Sequence, residues 1–167
     1  MNATQVYILS GAQGEGKTKR CIELVQQLKE SGKSVGGIVA PGFWDNNTRS
    51  AFELVDVSTL KKMPFAQRDC WKNWIKLKGF YFNPSTIEKG KTILKQAVNQ
   101  NDWIVLDEIG KLDIEGHLWG PIFGELIQIP DKKWILCVRN SFVNDVVEHW
   151  HLDKVKVLQI KDGFTEV

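Results

Sequence analysis

Gly11-Ala12-Gln13-Gly14-Glu15-Gly16-Lys17-Thr18 is the stretch that decides the fold, because it matches the phosphate-binding pattern G-x-x-x-x-G-K-[ST] at every fixed position. Residues 6–9 in front of it form a short apolar run typical of a buried strand, and residues 18–30 behind it carry the apolar spacing of a helix. A strand, a loop and a helix in this order are the context in which such a loop binds phosphate. The alternative is a glycine-rich turn that caps an ordinary helix.

The residue types in this loop suit a polyphosphate. Its glycines allow the backbone to turn tightly and to direct several N–H groups into one concavity, to which the following helix adds the positive end of its dipole. Lys17 would reach the terminal phosphates, and the Thr18 hydroxyl group would bind the Mg²⁺ that accompanies a nucleotide. Residues 11–18 are therefore candidate nucleotide-binding residues, Lys17 is also a candidate catalytic residue, and Thr18 is a candidate metal ligand.

Length and composition limit the remaining possibilities. The chain has 167 residues, which is most economically one domain, 1–167. Its 22 basic and 20 acidic residues give a formal net charge of +2, so there is no strong signal for nucleic acid or a membrane surface, and no protein partner is indicated. Cys21, Cys70 and Cys137 lack C-x-x-C spacing and indicate reduced, buried thiols. Without a signal segment or membrane span, a cytoplasmic protein is expected.

Apolar runs and helical patterns alternate along most of the chain. Further strands are predicted from the apolar runs at 35–40, 103–106, 134–138 and 155–160. Further helices are predicted from the patterns that begin near residue 84 and that span about 118–127 and 142–150. This alternation predicts an α/β fold with a mostly parallel sheet flanked by helices.

The region 41–83 departs from that alternation. Residues 43–49 are polar apart from two aromatics and are predicted to form a loop at a strand end, a common place for ligand-binding groups. Alternating patterns at 51–57, 63–69 and 75–82 predict an antiparallel meander inserted in the sheet. Trp44, Trp71 and Trp74 of this region could stack on a nucleobase or simply pack within the meander, and the pattern leaves both possibilities open.

Two acids follow the apolar run at 103–106. A buried parallel strand that ends in a carboxylate is the Walker B pattern, so Asp107 is predicted to address Mg²⁺. Neighbouring residues of a strand face opposite ways, which leaves Glu108 free to act on a water molecule as the catalytic base. The alternative for Glu108 is a surface acid or a partner for Lys111.

A second pair of polar residues follows the next apolar run. Arg139 and Asn140 come directly after 134–138, where a polar side chain could sense the γ-phosphate of a bound nucleotide. The alternative is a solvated strand end.

Residues 107–113, Asp-Glu-Ile-Gly-Lys-Leu-Asp, resemble the D-E-I-G-K-M-E signature of the small nucleoside-triphosphatase family whose human member is called cancer-related nucleoside triphosphatase. Residues 11–18 correspond to the phosphate loop of that family, residues 35–37 to its second-strand glycines, and residues 49–55 resemble its R-x-G-F-x-I-V stretch. The chain departs from the family where Leu112-Asp113 replaces Met-Glu and where Ser50-Ala51 replaces the glycine before Phe52.

The resemblance implies a RecA-like P-loop fold and Mg²⁺-dependent hydrolysis of the terminal phosphate of ATP, GTP and related nucleotides. The runner-up hypothesis is a phosphotransferase. Small-molecule kinases commonly close an arginine-bearing lid over the phosphates, whereas the four arginines here are scattered in the sequence. A third hypothesis is a binding module in which the triphosphate only orders a surface for a partner.

Overall fold

A computed structural model describes residues 3–69 and 73–161. Within these residues the strands are β1 (Gln5–Gly11), β2 (Val35–Val39), β3 (Gly42–Asp45), β4 (Thr48–Asp56), β5 (Lys62–Gln67), β6 (Ile75–Leu77), β7 (Phe80–Phe82), β8 (Trp103–Asp107), β9 (Lys133–Arg139) and β10 (Lys154–Gln159). The helices are α1 (Lys17–Glu30), α2 (Pro84–Gln100), α3 (Lys111–Ile114), α4 (Gly120–Leu126) and α5 (Val143–His149), with a 3₁₀ turn at Asn140–Phe142.

All of these strands belong to one sheet, in the order β10-β1-β9-β8-β2-β4-β5-β7-β6, with β3 paired to β4. The pairs from β10 to β2 are parallel, and the pairs from β2 to β6 are antiparallel. The fold is therefore α/β, with a parallel half that is extended by an antiparallel meander, as the sequence predicts. The carboxyl ends of parallel strands share one edge of a sheet, so residues that follow β1, β8 and β9 come together there.

Helices cover both faces of the parallel half. On one face, α1 packs its apolar side against β1, β2, β8 and β9, and this layer includes the buried free thiols Cys21 and Cys137. On the other face, α2, α4 and α5 enclose the larger core, in which Trp119 and Trp134 are the largest fully buried side chains. Cys70 and Trp71 lie outside the described residues.

Gly37 shows why β2 contains glycine. It has a φ of 124°, and a Cβ atom there would overlap the Val105 carbonyl oxygen of the neighbouring strand β8. Because the two backbones approach so closely, only glycine fits, and the register between β2 and β8 is set at this point.

The prediction of a polar loop at 43–49 is wrong, since the chain forms a β-hairpin there. Asn46 and Asn47 lie between β3 and β4 with φ values of 49° and 64°, the backbone of a two-residue turn that asparagine tolerates. The single strand predicted at 75–82 is likewise two short strands. They turn at Lys78 and Gly79, whose φ values are also positive.

Candidate active site

The phosphate loop has the backbone that its glycines were expected to permit. Gly14 and Gly16 have φ values of 80° and 94°, and α1 begins directly after Gly16. Lys17 is only 6% exposed, and its Nζ donates hydrogen bonds to the Ala12 and Gly11 carbonyl oxygens at 3.1 and 3.4 Å. The ammonium group is therefore folded back over its own loop, at the place where phosphate oxygens would bind.

Thr18 and Asp107, the two predicted metal ligands, are in direct contact. The Thr18 hydroxyl group donates to Asp107 Oδ2 at 2.8 Å, and the backbone N–H of Ala40 donates to the same oxygen at 3.1 Å. Asp107 is only 1% exposed. This burial raises its pKa, while the hydrogen bonds from Ala40 and Thr18 act in the opposite direction. Two oxygen atoms that could bind a metal ion, one from α1 and one from the end of β8, thus lie side by side next to the phosphate loop.

Glu108 lies beyond the end of β8 and opens toward the cleft. A cis peptide bond joins Asp107 to Glu108, and the Glu108 side chain is exposed, in contrast to the buried Asp107. Loss of surrounding water in the cleft raises the Glu108 pKa, and the neighbouring charge of Asp107 raises it further. The cations of Lys17, Arg139 and Arg49 lower it. Glu108 therefore lies at the cleft, within reach of several positive charges.

One cleft of about 840 Å³ connects these groups. Its basic lining residues are Lys17, Lys19, Arg49, Lys78, Lys111 and Arg139. Its far wall is apolar, built by Phe52, Phe65, Phe80, Phe82, Leu118 and Trp119. The cleft thus joins an anion-binding end to an apolar chamber. No helix within residues 3–69 and 73–161 is long and apolar enough to cross a membrane.

The structure separates the two residues predicted as phosphate sensors. Arg139 lines the cleft and its guanidinium group lies 5.5 Å from the centre of the Phe142 ring, whereas Asn140 is exposed in the 3₁₀ turn and is not part of the lining. Among the tryptophans, Trp44 lines the cleft, where a Cβ atom on Gly14 would lie 3.7 Å from its ring, and Trp74 does not.

Arg49 is the residue that sequence reasoning did not assign to the site. It is distant from the phosphate loop in the chain, but the β3–β4 hairpin returns it to the cleft. The signal available in the sequence was its position at the start of the R-x-G-F-like stretch, after an aromatic pair. Two of the four arginines therefore share one cleft, which removes part of the argument against a phosphotransferase.

Asp113, the third acid of the signature at residues 107–113, holds the backbone around Glu108. Its Oδ2 accepts a hydrogen bond from Gly110 N and its Oδ1 accepts one from Trp119 N, both at 2.9 Å. Burial raises the Asp113 pKa to about 7, while the two backbone donors oppose that rise. Both carboxylate oxygens of Asp113 thus accept backbone hydrogen bonds that stabilise the segment 108–119.

This pKa predicts a pH dependence of stability. Between its ordinary pKa near 4 and about 7, Asp113 is protonated in the folded protein and ionised in the unfolded chain, so its contribution to the free energy of unfolding falls as pH rises across that window. We expect Asp113→Asn to flatten this fall. The measurement is urea unfolding of both proteins at several pH values from 4.5 to 8, and parallel curves would contradict the assignment.

A family model described as NTPase matches residues 6–163. The chain belongs to this NTPase family. Among NTPase relatives, nucleoside-triphosphatase THEP1 of Methanocaldococcus jannaschii is 24% identical over 160 residues, which are 95% of this chain and 92% of that protein. Nucleoside-triphosphatase THEP1 of Methanopyrus kandleri is 26% identical over 110 residues, and the match covers 66% of this chain and 60% of that relative.

A solved structure shares the fold of this NTPase. The solution structure of a human cancer-related nucleoside triphosphatase matches with a TM-score of 0.68 and 20% identity, covering 94% of this chain and 88% of the human one. The family model confirms the family resemblance carried by residues 107–113, and the solved structure confirms the fold.

Proposed function

We propose that this NTPase hydrolyses the terminal phosphate of ATP, GTP and related nucleoside triphosphates with the help of Mg²⁺. One observation carries the proposal. The Glu108 carboxylate opens into the cleft among the cations of Lys17 and Arg139, while the Thr18–Asp107 pair lies below the same loop. A charged phosphate chain and a water molecule need these groups within one site.

The donor set fits Mg²⁺. This ion prefers oxygen ligands and is usually held by one or two carboxylates together with substrate phosphates. The Thr18 hydroxyl and the Asp107 carboxylate supply such oxygens. Within the described residues, no cluster of three or more His, Cys, Asp or Glu side chains offers a self-sufficient metal cage. When bound, Mg²⁺ would neutralise charge on the phosphates, and Thr18 and Asp107 would hold it.

The protein's own groups then account for the reaction. Loop amides and Lys17 bind the phosphate oxygens and stabilise the negative charge that develops during transfer. Glu108 orients a water molecule and accepts its proton as the water oxygen bonds to the γ-phosphorus, and the nucleoside diphosphate leaves with the electrons of the broken bond. Because its pKa is raised, Glu108 is a stronger base than an ordinary surface glutamate.

A second candidate function is favoured by the apolar chamber. Its wall of phenylalanines and Trp119 lies in the same cleft as Glu108, so an acceptor molecule with an aromatic group could lie where water would attack. Such an enzyme would transfer the phosphate instead of releasing it. Both functions use the same loop, and the fate of the phosphate distinguishes them.

We expect the protein with Mg²⁺ to release inorganic phosphate from ATP and GTP at a rate that added acceptors do not raise. The measurement follows phosphate release and nucleoside diphosphate formation together, with and without nucleosides and other small hydroxyl compounds. Equal amounts of the two products support hydrolysis. Diphosphate formed in excess of free phosphate, only when an acceptor is present, would identify a phosphotransferase.

The buried free thiols Cys21 and Cys137 support a reducing, cytoplasmic location.

A further inference from the structure

Arg49 is held in a defined place although it belongs to the inserted meander. Its guanidinium carbon lies 4.8 Å from the centre of the Trp44 ring and 5.2 Å from that of Phe52. A Cβ atom on Gly42 would lie 2.8 to 2.9 Å from Arg49 Cδ, Nε and Nη1, so the side chain crosses the Gly42 backbone. Two aromatic rings and a strand thus direct one guanidinium group into the cleft.

This packing leaves a polar requirement unmet. Arg49 Nε is buried and has no hydrogen-bond partner among residues 3–69 and 73–161. A buried charged donor without an acceptor is costly, and native proteins keep few of them. The Trp44 and Phe52 rings offer no hydrogen-bond acceptor to Arg49 Nε. We therefore expect a bound ligand to supply that acceptor.

The position of Arg49 relative to the other charges indicates which ligand group it meets. Arg49 and Arg139 line the same cleft as Glu108 and Lys17. Arg139 comes from the end of β9 and Arg49 from the start of β4, so the two guanidinium groups approach Glu108 from different parts of the sheet. In a bound nucleoside triphosphate, the group that lies between these two guanidinium groups and Lys17 would be the terminal phosphate.

We propose that Arg49 is a catalytic residue, an arginine that the meander supplies within the same chain to the γ-phosphate. This inference rests on the proposed function. As the water oxygen bonds to the γ-phosphorus and the bond to the leaving diphosphate oxygen breaks, the proton of water passes to Glu108. Arg49 donates hydrogen bonds to the γ-phosphate oxygens, whose negative charge is spread most widely at that moment.

Lysine cannot replace arginine in this role. A guanidinium group is planar and offers several donors in a fixed fork, whereas an ammonium group is a point charge. Arg49→Lys keeps the positive charge and most of the aliphatic stem over Gly42, but it loses the fork. A purely structural Arg49 would tolerate that change better than a catalytic one.

We expect Arg49→Lys and Arg49→Ala to lower the single-turnover rate of hydrolysis by about a hundredfold or more. Their affinity for a non-hydrolysable triphosphate should stay within a few-fold of the wild-type value. Lys76→Ala is the matched control, because Lys76 lies on the same meander against Tyr81 and outside the cleft lining, and it should behave as the wild type. Added guanidinium ion should partly restore the rate of Arg49→Ala.

A second readout separates catalysis from folding or simple binding. Wild-type protein should bind nucleoside diphosphate more tightly in the presence of aluminium fluoride, which resembles the transferring phosphoryl group, and Arg49→Lys should lose that gain while still binding the diphosphate. A wild-type rate in Arg49→Lys, or equal losses in rate and in triphosphate affinity, would overturn the role of Arg49 with the hydrolase intact. Wild-type protein that releases no phosphate would overturn the proposed function itself.

Discussion

Glu108→Gln is expected to lower the single-turnover rate of triphosphate hydrolysis by roughly a hundredfold to ten-thousandfold, about 3 to 5 kcal/mol in the barrier. Glutamine keeps the size and hydrogen-bonding capacity of the side chain but cannot accept the proton of water. Glu108 lines the cleft and follows the last residue of β8, so the change does not alter the buried strand itself. Equilibrium binding of a non-hydrolysable triphosphate should therefore remain close to the wild-type value.

Asp107→Asn is the informative comparison for Glu108→Gln. Asp107 is buried against Thr18 and Ala40, so its substitution should weaken metal placement. The Mg²⁺ concentration needed for half-maximal rate should rise in Asp107→Asn and stay unchanged in Glu108→Gln. The measurement is single-turnover hydrolysis over a Mg²⁺ titration with each folded variant. If Glu108→Gln hydrolyses at the wild-type rate, the water-activating role is wrong and the phosphotransferase gains support.

Lys17→Ala is expected to lower turnover on the order of a thousandfold, about 4 kcal/mol, and to weaken triphosphate binding. Charge-assisted hydrogen bonds of about 1.5 to 3 kcal/mol correspond to a loss of roughly ten to a hundredfold in affinity. Lys17 donates hydrogen bonds to two carbonyl oxygens of its own loop, and truncation to alanine removes both bonds.

The control for Lys17→Ala is Lys95→Ala, which removes an exposed lysine on α2 that does not line the cleft. Circular dichroism and thermal unfolding would establish that both variants fold. Near-normal hydrolysis by a folded Lys17→Ala protein would end the assignment of residues 11–18 as the phosphate site.

The parallel half of the sheet was predictable because its signals are local. Residues 103–106 are continuously apolar and end in acids, and this pattern specifies both a buried strand and the edge at which its carboxylates emerge. The contact between Thr18 and Asp107 then follows from topology, since β1 and β8 end at the same edge on either side of β9.

The meander was harder to predict from the sequence because its turns and strands are short. Asn46 and Asn47 look like part of a polar loop until their positive φ values are seen, and Lys78-Gly79 interrupts what looks like one strand. The place of Arg49 depends on these turns and on the register between β3 and β4. A side chain whose position is set by long-range pairing leaves no periodic signal around itself, so the sequence could not place it in the cleft.

The position of β1 determines when the site can form during synthesis. β1 carries the phosphate loop at its end, yet both of its neighbours in the sheet, β9 and β10, come from the last third of the chain. The meander, in contrast, pairs strands that follow closely in sequence. Such local hairpins form early, whereas distant pairings come late. The phosphate loop at the end of β1 is therefore synthesised well before the two strands that fix β1 in the sheet, and the nucleotide site can form only after β9 and β10 have been made.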